Sequence, residues 1–228
     1  MTVPVRSMQF ADATEAADLA AFLGRLLHYD RAAAVRLQAG GGALAVFGRP
    51  PSFEVLAIRT ARLSGTHDFD TTVSAGELLE SLDTGECAGV DALPAPVTGP
   101  PWTGVLPPRG GWEEQSGLPG PLALRTALTQ AVAEFRARDE ALPEVRRTRA
   151  ERDLIGRDIW SRTVGDTELP LRAVHAAQSL GFLRPAPDFP VALLTAGSWL
   201  RLRTPFGSVA LRGAGGGLGT LAVTVGAP

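Results

Sequence analysis

Residues 34–61 read AVRLQAGGGALAVFGRPPSFEVLAIRTA, and the fold turns on how this run is divided. Segments 34–38, 43–47 and 53–61 carry the alternating apolar pattern of half-buried strands. Gly40-Gly41-Gly42 and Pro50-Pro51 stand between them. Glycine frees the backbone for tight turns and proline withholds an N–H, so each break predicts a turn. The economical product is a short antiparallel meander.

Upstream, residues 13–28 place Leu19, Phe22, Leu23, Leu26 and Leu27 on one wide helical stripe. Asp12 and Glu15 have the spacing of an N-terminal capping box. This helix is expected to cover the meander. Downstream, alternation through Phe69, Thr71 and Val73 predicts a fourth strand over 67–73, and Leu78, Leu79 and Leu82 give a short helix over 75–82 a packing face.

From Asp91 to Pro121 the chain reads DALPAPVTGPPWTGVLPPRGGWEEQSGLPGP. So much proline and glycine excludes a persistent helix or central strand. The segment exceeds an ordinary connection and reads as a linker, a wrapping arm or a functional loop. Trp102 and Trp112 favour docking over a solvated linker.

Beyond it, Pro121 suits a first helical turn, and Leu124, Leu128, Ala131 and Phe135 form a stripe that should end before Pro143. Thr148 and Glu151 cap a second helix carrying Leu154, Ile155 and Ile159. A third runs over 170–180, closed by Gly181 in the left-handed region with Phe182 folding back. Strands are expected at 191–194, 199–203, 208–212 and 221–225, with Thr204-Pro205-Phe206-Gly207 as a hairpin turn.

The fold class is therefore α+β: two antiparallel β-meander regions with packed helices, either pseudo-duplicated or joined in one continuous sheet. The expected organisation is 1–90, N-terminal helix plus antiparallel sheet; 91–120, Pro/Gly-rich loop or linker; and 121–228, C-terminal helices plus antiparallel sheet.

Several chemistries are disfavoured. All 22 basic residues are arginine, which removes the phosphate-loop lysine and Schiff-base mechanisms. Cys87 is the single cysteine, so no disulfide can close within the chain. His28, His67 and His175 are dispersed, and although His67, Asp68 and Asp70 could contribute imidazole and oxygen ligands, adjacent residues on an extended chain point to opposite faces. The run Gly213-Ala214-Gly215-Gly216-Gly217-Leu218-Gly219 has Leu218 where a dinucleotide fingerprint needs glycine, and no βαβ unit follows. No serine-nucleophile elbow is present. No cofactor is expected. Neither a basic-then-apolar leader nor a spanning apolar run of about 20 residues is found, so a cytoplasmic location without a membrane partner is expected.

The central segment supplies the main candidates: Trp102, Arg109, Trp112, Glu113 and Glu114. Tryptophan offers flat apolar area, Arg109 can orient an acidic group, and the glutamates can accept hydrogen bonds or exchange protons. They suggest a non-catalytic binding or assembly protein acting through a protein partner or self-association, with homo-oligomers expected. The enzyme alternative uses Arg109 with Glu113 or Glu114 on a small anionic ligand.

A second alternative is nucleic-acid binding. Residues 1–120 hold 8 arginines against 14 acids, whereas residues 121–228 hold 14 against 10. Helices at 148–160 and 170–180 followed by a hairpin follow the order of a winged helix-turn-helix, with Arg172, Arg201, Arg203 and Arg212 as phosphate contacts. The separation between those helices and their interspersed acids weigh against it.

Overall fold

The computed structural model describes residues 7–85, 88–185 and 188–213. The expected strand at 221–225, Cys87 and residues 214–219 of the glycine run lie outside them. Helix α1, Ala13–Tyr29, starts at Asp12, whose carboxylate accepts from the Glu15 N–H at 3.0 Å. Leu19, Phe22, Leu23 and Leu26 are buried on its apolar stripe.

The meander expected after α1 is instead a two-stranded ribbon. Strand β2 runs unbroken over Ala34–Gly48 and β3 over Leu56–Ser74, so the tri-glycine run is not a turn and segments 53–61 and 67–73 are not separate strands. The glycines absorb a bulge: register passes from Gly41↔His67 to Ala43↔Arg62, leaving Gly42 opposite Leu63 to Thr66, with Gly41 at φ +60°. This resets the alternation, so Leu44 and Val46 join Val35 and Leu37 in one core. The reversal falls on residues 49–55, where the prolines make a turn as read and Phe53 is buried within it.

Helix α2, Ala75–Ser81, follows. Three strands of two residues each, β1 (Met8–Gln9), β4 (Leu82–Asp83) and β5 (Gly89–Val90), form a small antiparallel sheet in the order β1-β5-β4. Strand β6, Glu113–Gln115, precedes helices α3, Pro121–Glu140, α4, Arg149–Trp160, and α5, Leu171–Ser179. Thr148 caps α4 through the Glu151 N–H. At the end of α5, Gly181 takes φ +79° and the Phe182 N–H reaches the Ala177 carbonyl at 2.7 Å, closing the helix as expected.

Strands β7 (Ala192–Ala196), β8 (Trp199–Thr204) and β9 (Gly207–Arg212) complete the fold. The large sheet has the order β2-β3-β9-β8-β7-β6, antiparallel throughout. The two β regions thus form one continuous sheet, joined where Leu56, Ala57 and Ile58 pair with Ala210, Val209 and Ser208. Its inner face, including Ala57, Leu200, Leu202, Val209 and Leu211, packs into the core with α1, α3, α4 and α5.

Arg59 lies on that inner face beside the junction and is buried. Its guanidinium donates to Asp18 on α1 at 3.0 Å and to the Phe206 carbonyl in the β8–β9 turn at 2.7 Å. Asp18 also accepts from Arg184 at 2.8 Å. One side chain therefore ties α1 and β3 to the C-terminal hairpin. A second tie is made of rings: Tyr29, Phe53, His175, Trp160 and Phe135 are in contact in that order, with His175 stacked on Trp160 at 4.6 Å. Burial lowers the His175 pKa.

Arg59→Ala should cost about 2 kcal/mol, because it removes charge-assisted bonds to Asp18 and to the Phe206 carbonyl while Arg184 still pairs with Asp18. A lower urea midpoint at unchanged slope is the expected reading, and an unchanged midpoint would show the bridge to be dispensable. For His175 the unfolded imidazole protonates first on acidification, so stability should fall as pH drops below about 6.5 and level off below the depressed folded value. Subtracting the His175→Phe stability–pH curve from that of wild type should isolate this segment. No difference in slope would contradict it.

Candidate functional site

The proline- and glycine-rich segment crosses the outer face of the large sheet as a strap. It is fastened first by the Val97 N–H to the Thr72 carbonyl at 2.9 Å. Pro101–Gly104 then form a single 3-10 turn, and Arg36 donates to the Thr103 carbonyl at 2.9 Å. Trp102 packs on the buried outer-face cluster of Phe47, Ile58 and Ala210, together with Leu106 and Trp199. Arg36 and Phe47 are eleven positions apart on β2, roughly 36 Å along a straight strand. Neighbouring strap residues reach both levels, so the arms of the ribbon turn back toward each other about the bulge.

The strap ends by becoming β6, which pairs with β7 through Glu113↔Thr195, Glu114↔Leu194 and Gln115↔Leu193. This is an edge strand, the one place in a sheet where so proline-rich a segment can join. Just before it, the Trp112 indole N–H donates to the Pro108 carbonyl at 3.0 Å, and the ring lies 5.6 Å from the Arg201 guanidinium carbon.

Strand alternation places Trp199, Arg201 and Arg203 of β8 on this outer face with Ser208, Ala210 and Arg212 of β9. Arg201 is half-buried, and its Nε donates to the buried Ser208 hydroxyl at 2.9 Å. Burial, and then the charge of Arg203, lower the Arg201 pKa. Arg212 sits 5.5 Å from the Trp199 ring. Among the described residues, none of Arg201, Arg203 and Arg212 has a carboxylate within ion-pairing distance.

The five central candidates make different contacts. Trp102 is a packing residue of the strap. Arg109 adds its charge to a different group: Arg36, by hydrogen bond, chiefly holds the Asp70 carboxyl below its usual range, with Gln38 and the charges of Arg36 and Arg109 adding to the effect. Glu113 and Glu114 are exposed on β6. A cavity of about 730 Å³ between the ribbon ends and the strap includes Trp102 in its wall, but none of Arg109, Trp112, Glu113 or Glu114.

The four arginines of the nucleic-acid alternative also separate. Arg172 is on α5, which packs against the inner face, and its Nε lies 3.5 Å from a Glu54 carboxylate oxygen. Arg201, Arg203 and Arg212 project from the opposite face, so the continuous surface expected of all four is not formed. Among the described residues, no cluster of His, Cys, Asp and Glu could hold a metal ion, and no helix is long and apolar enough to cross a membrane.

The structure instead brings together one residue from each candidate set, Trp112 and Arg201, and adds Trp199 and Ser208. Alternation in the WLRLR run of β8 signals that Trp199, Arg201 and Arg203 share a face. The pairing with Trp112 spans some ninety residues and has no local signal.

A domain of unknown function, DUF8010, matches residues 3–104, and a second, DUF8185, matches residues 107–216. No curated protein matches the chain. Among solved structures, the DNA polymerase sliding clamp of Pseudomonas aeruginosa is 12% identical over 94% of this chain and 66% of the clamp chain, with a TM-score of 0.46. That of Caulobacter crescentus is 12% identical over 97% and 68%, with a TM-score of 0.45. The chain thus spans about two thirds of the length of these proteins, and the likeness is one of loose outline.

If Trp102 fastens the strap, Trp102→Ala should lower stability by about 2 kcal/mol, below the value for a fully buried tryptophan because the ring is half-buried. Limited proteolysis should then cut within residues 97–112 before the rest of the chain. Wild-type resistance in that segment would show the strap to be held by other contacts.

Proposed function

We propose that the protein is a non-catalytic binding protein that docks a protein partner on the outer face of its large sheet, beside the strap. The observation that carries this reading is the half-buried Trp112 ring beside Arg201, with Trp199, Arg203 and Arg212 on the adjoining strands. Tryptophan and arginine supply large contact area and directional hydrogen bonds, and they dominate the energetics of protein interfaces. Here Trp112 directly precedes β6 and is held by the Pro108 carbonyl, and Arg201 stands on β8 and is held by Ser208, so little ordering remains to be done on binding.

The enzyme alternative lacks a built pocket to support it: Glu113 and Glu114 are exposed on β6, and the cavity beside the strap includes neither of them nor Arg109 in its wall. The displacement of Arg172 to the opposite side of the sheet likewise weakens the nucleic-acid alternative. A second copy of the chain is one form the partner can take, and sedimentation distinguishes it from a foreign segment.

The test combines sedimentation velocity over a concentration series with binding to an array of peptides of varied charge and hydropathy. Trp112→Ala is expected to weaken whichever association is seen by roughly tenfold or more, with the circular dichroism spectrum and thermal midpoint retained. Association indifferent to Trp112, or the absence of any association in both assays, would reject this face as the docking surface.

A further inference from the structure

Arg201 is a costly way to fill a half-buried position on a strand. Its alternation partners on the same face of β8, Trp199 and Arg203, give it no acid, and across the β8–β9 pair it meets Ala210. The nearest fixed polar contact is neutral, the Ser208 hydroxyl bound by Nε. That bond orients the planar fork and leaves the two terminal nitrogens without a hydrogen bond to the described residues, while Trp112 lies beside the guanidinium. A like charge, Arg203, adds to the strain on the cation. A partly desolvated guanidinium with a neutral second partner and cationic neighbours is matched by one group above others, a planar oxyanion that accepts two parallel N–H bonds.

We infer that Arg201 is the anchor of an oxyanion site that takes a carboxylate side chain of an extended acidic segment in a partner protein, with Arg203 receiving a second carboxylate and Arg212 flanking the pair. The inference rests on the docking face proposed above and names the chemistry of its partner. Arg201 and Arg203 are two residues apart on one strand, roughly 6.6 Å along the chain. Carboxylates at alternate positions of an extended segment repeat at the same interval.

The surroundings favour protein carboxylates over a nucleic acid. Only three arginines form the patch, on two neighbouring strands, whereas a duplex presents a charge about every 1.7 Å and is held by many phosphate contacts. The same sheet face carries Glu114 on β6, in line with Leu194 and Arg201, and Asp70 toward the other end. A long polyanion lying across the strands would meet these acids, whereas a short segment running along β8 need not cross them.

The experiment titrates the full chain with a peptide of four Glu-Thr repeats, with its Gln-Thr counterpart, and with a single-stranded oligothymidylate, each at two salt concentrations. The acidic peptide should bind, more weakly at high salt, and the Gln peptide should bind at least tenfold more weakly. Arg201→Lys keeps the charge but removes the fork and should weaken the acidic peptide by roughly tenfold, whereas Arg203→Gln should cost only a few fold. Should Arg201→Lys fail to fold, Arg203→Glu provides the second arm and should abolish the preference for Glu over Gln.

Failure of the Glu-Thr peptide to bind, equal binding of the two peptides, or binding insensitive to both Arg201→Lys and Arg203→Glu would overturn the anchor. If the peptides bind equally and Trp112→Ala abolishes both, the docking face stands and the oxyanion site falls. Preferential, strongly salt-dependent binding of the oligothymidylate would replace the carboxylate ligand with phosphate and overturn the inference as stated.

Discussion

A guanidinium buried at the seam between the two halves of the chain sets the terms for the rest of the molecule. The sheet is continuous only because three residues of β3 pair with three of β9, a small junction for so large a structure. Arg59 reinforces it from the inner face, drawing Asp18 on α1 and the carbonyl of Phe206 into one network. The network directs as well as binds. An apolar side chain at this position would bury well, but it would not specify which end of the C-terminal hairpin meets the ribbon.

Once the seam is in place, both faces of the sheet need cover. Helices supply it on the inner side, where Phe22 and Phe182 stack between α1 and the end of α5. The outer side is covered by a segment whose composition forbids regular structure through most of its length. It remains ordered because its polar backbone is answered one group at a time, by Thr72, Arg36 and finally β7. Trp102 and Leu106 supply apolar area that a second layer of helices would otherwise give.

Local chemistry was the legible part. Asp12, Thr148 and Gly181 marked helix ends because capping depends on residues within one turn, and the 204–207 turn was readable for the same reason. The run Gly40-Gly41-Gly42 misled, since missing side chains permit a bulge as readily as a turn, and the choice between them is made by the partner strand twenty or more residues away. The two-residue strands β1, β4 and β5 are too short to show periodicity. Arg59 looked like any polar member of an alternating strand until α1 and the distant hairpin were packed around it. Among the site residues, the arginines of β8 could be assigned to one face by alternation, but the meeting of Arg201 with Trp112 depends on the course of the strap, and Arg172 was misplaced because helix order does not reveal which side of a sheet a helix covers.

The acidic edge strand has a consequence for symmetry. Were two identical chains to extend their sheets by joining β6 to β6 in antiparallel fashion, the Glu113–Glu114 pair of each would be brought against that of the other, and like charges on facing positions repel. Pairing of identical edges is therefore disfavoured. A strand without acids at the facing positions joins this end more readily, and two neighbouring glutamates weigh against pairing of the edge with its own copy.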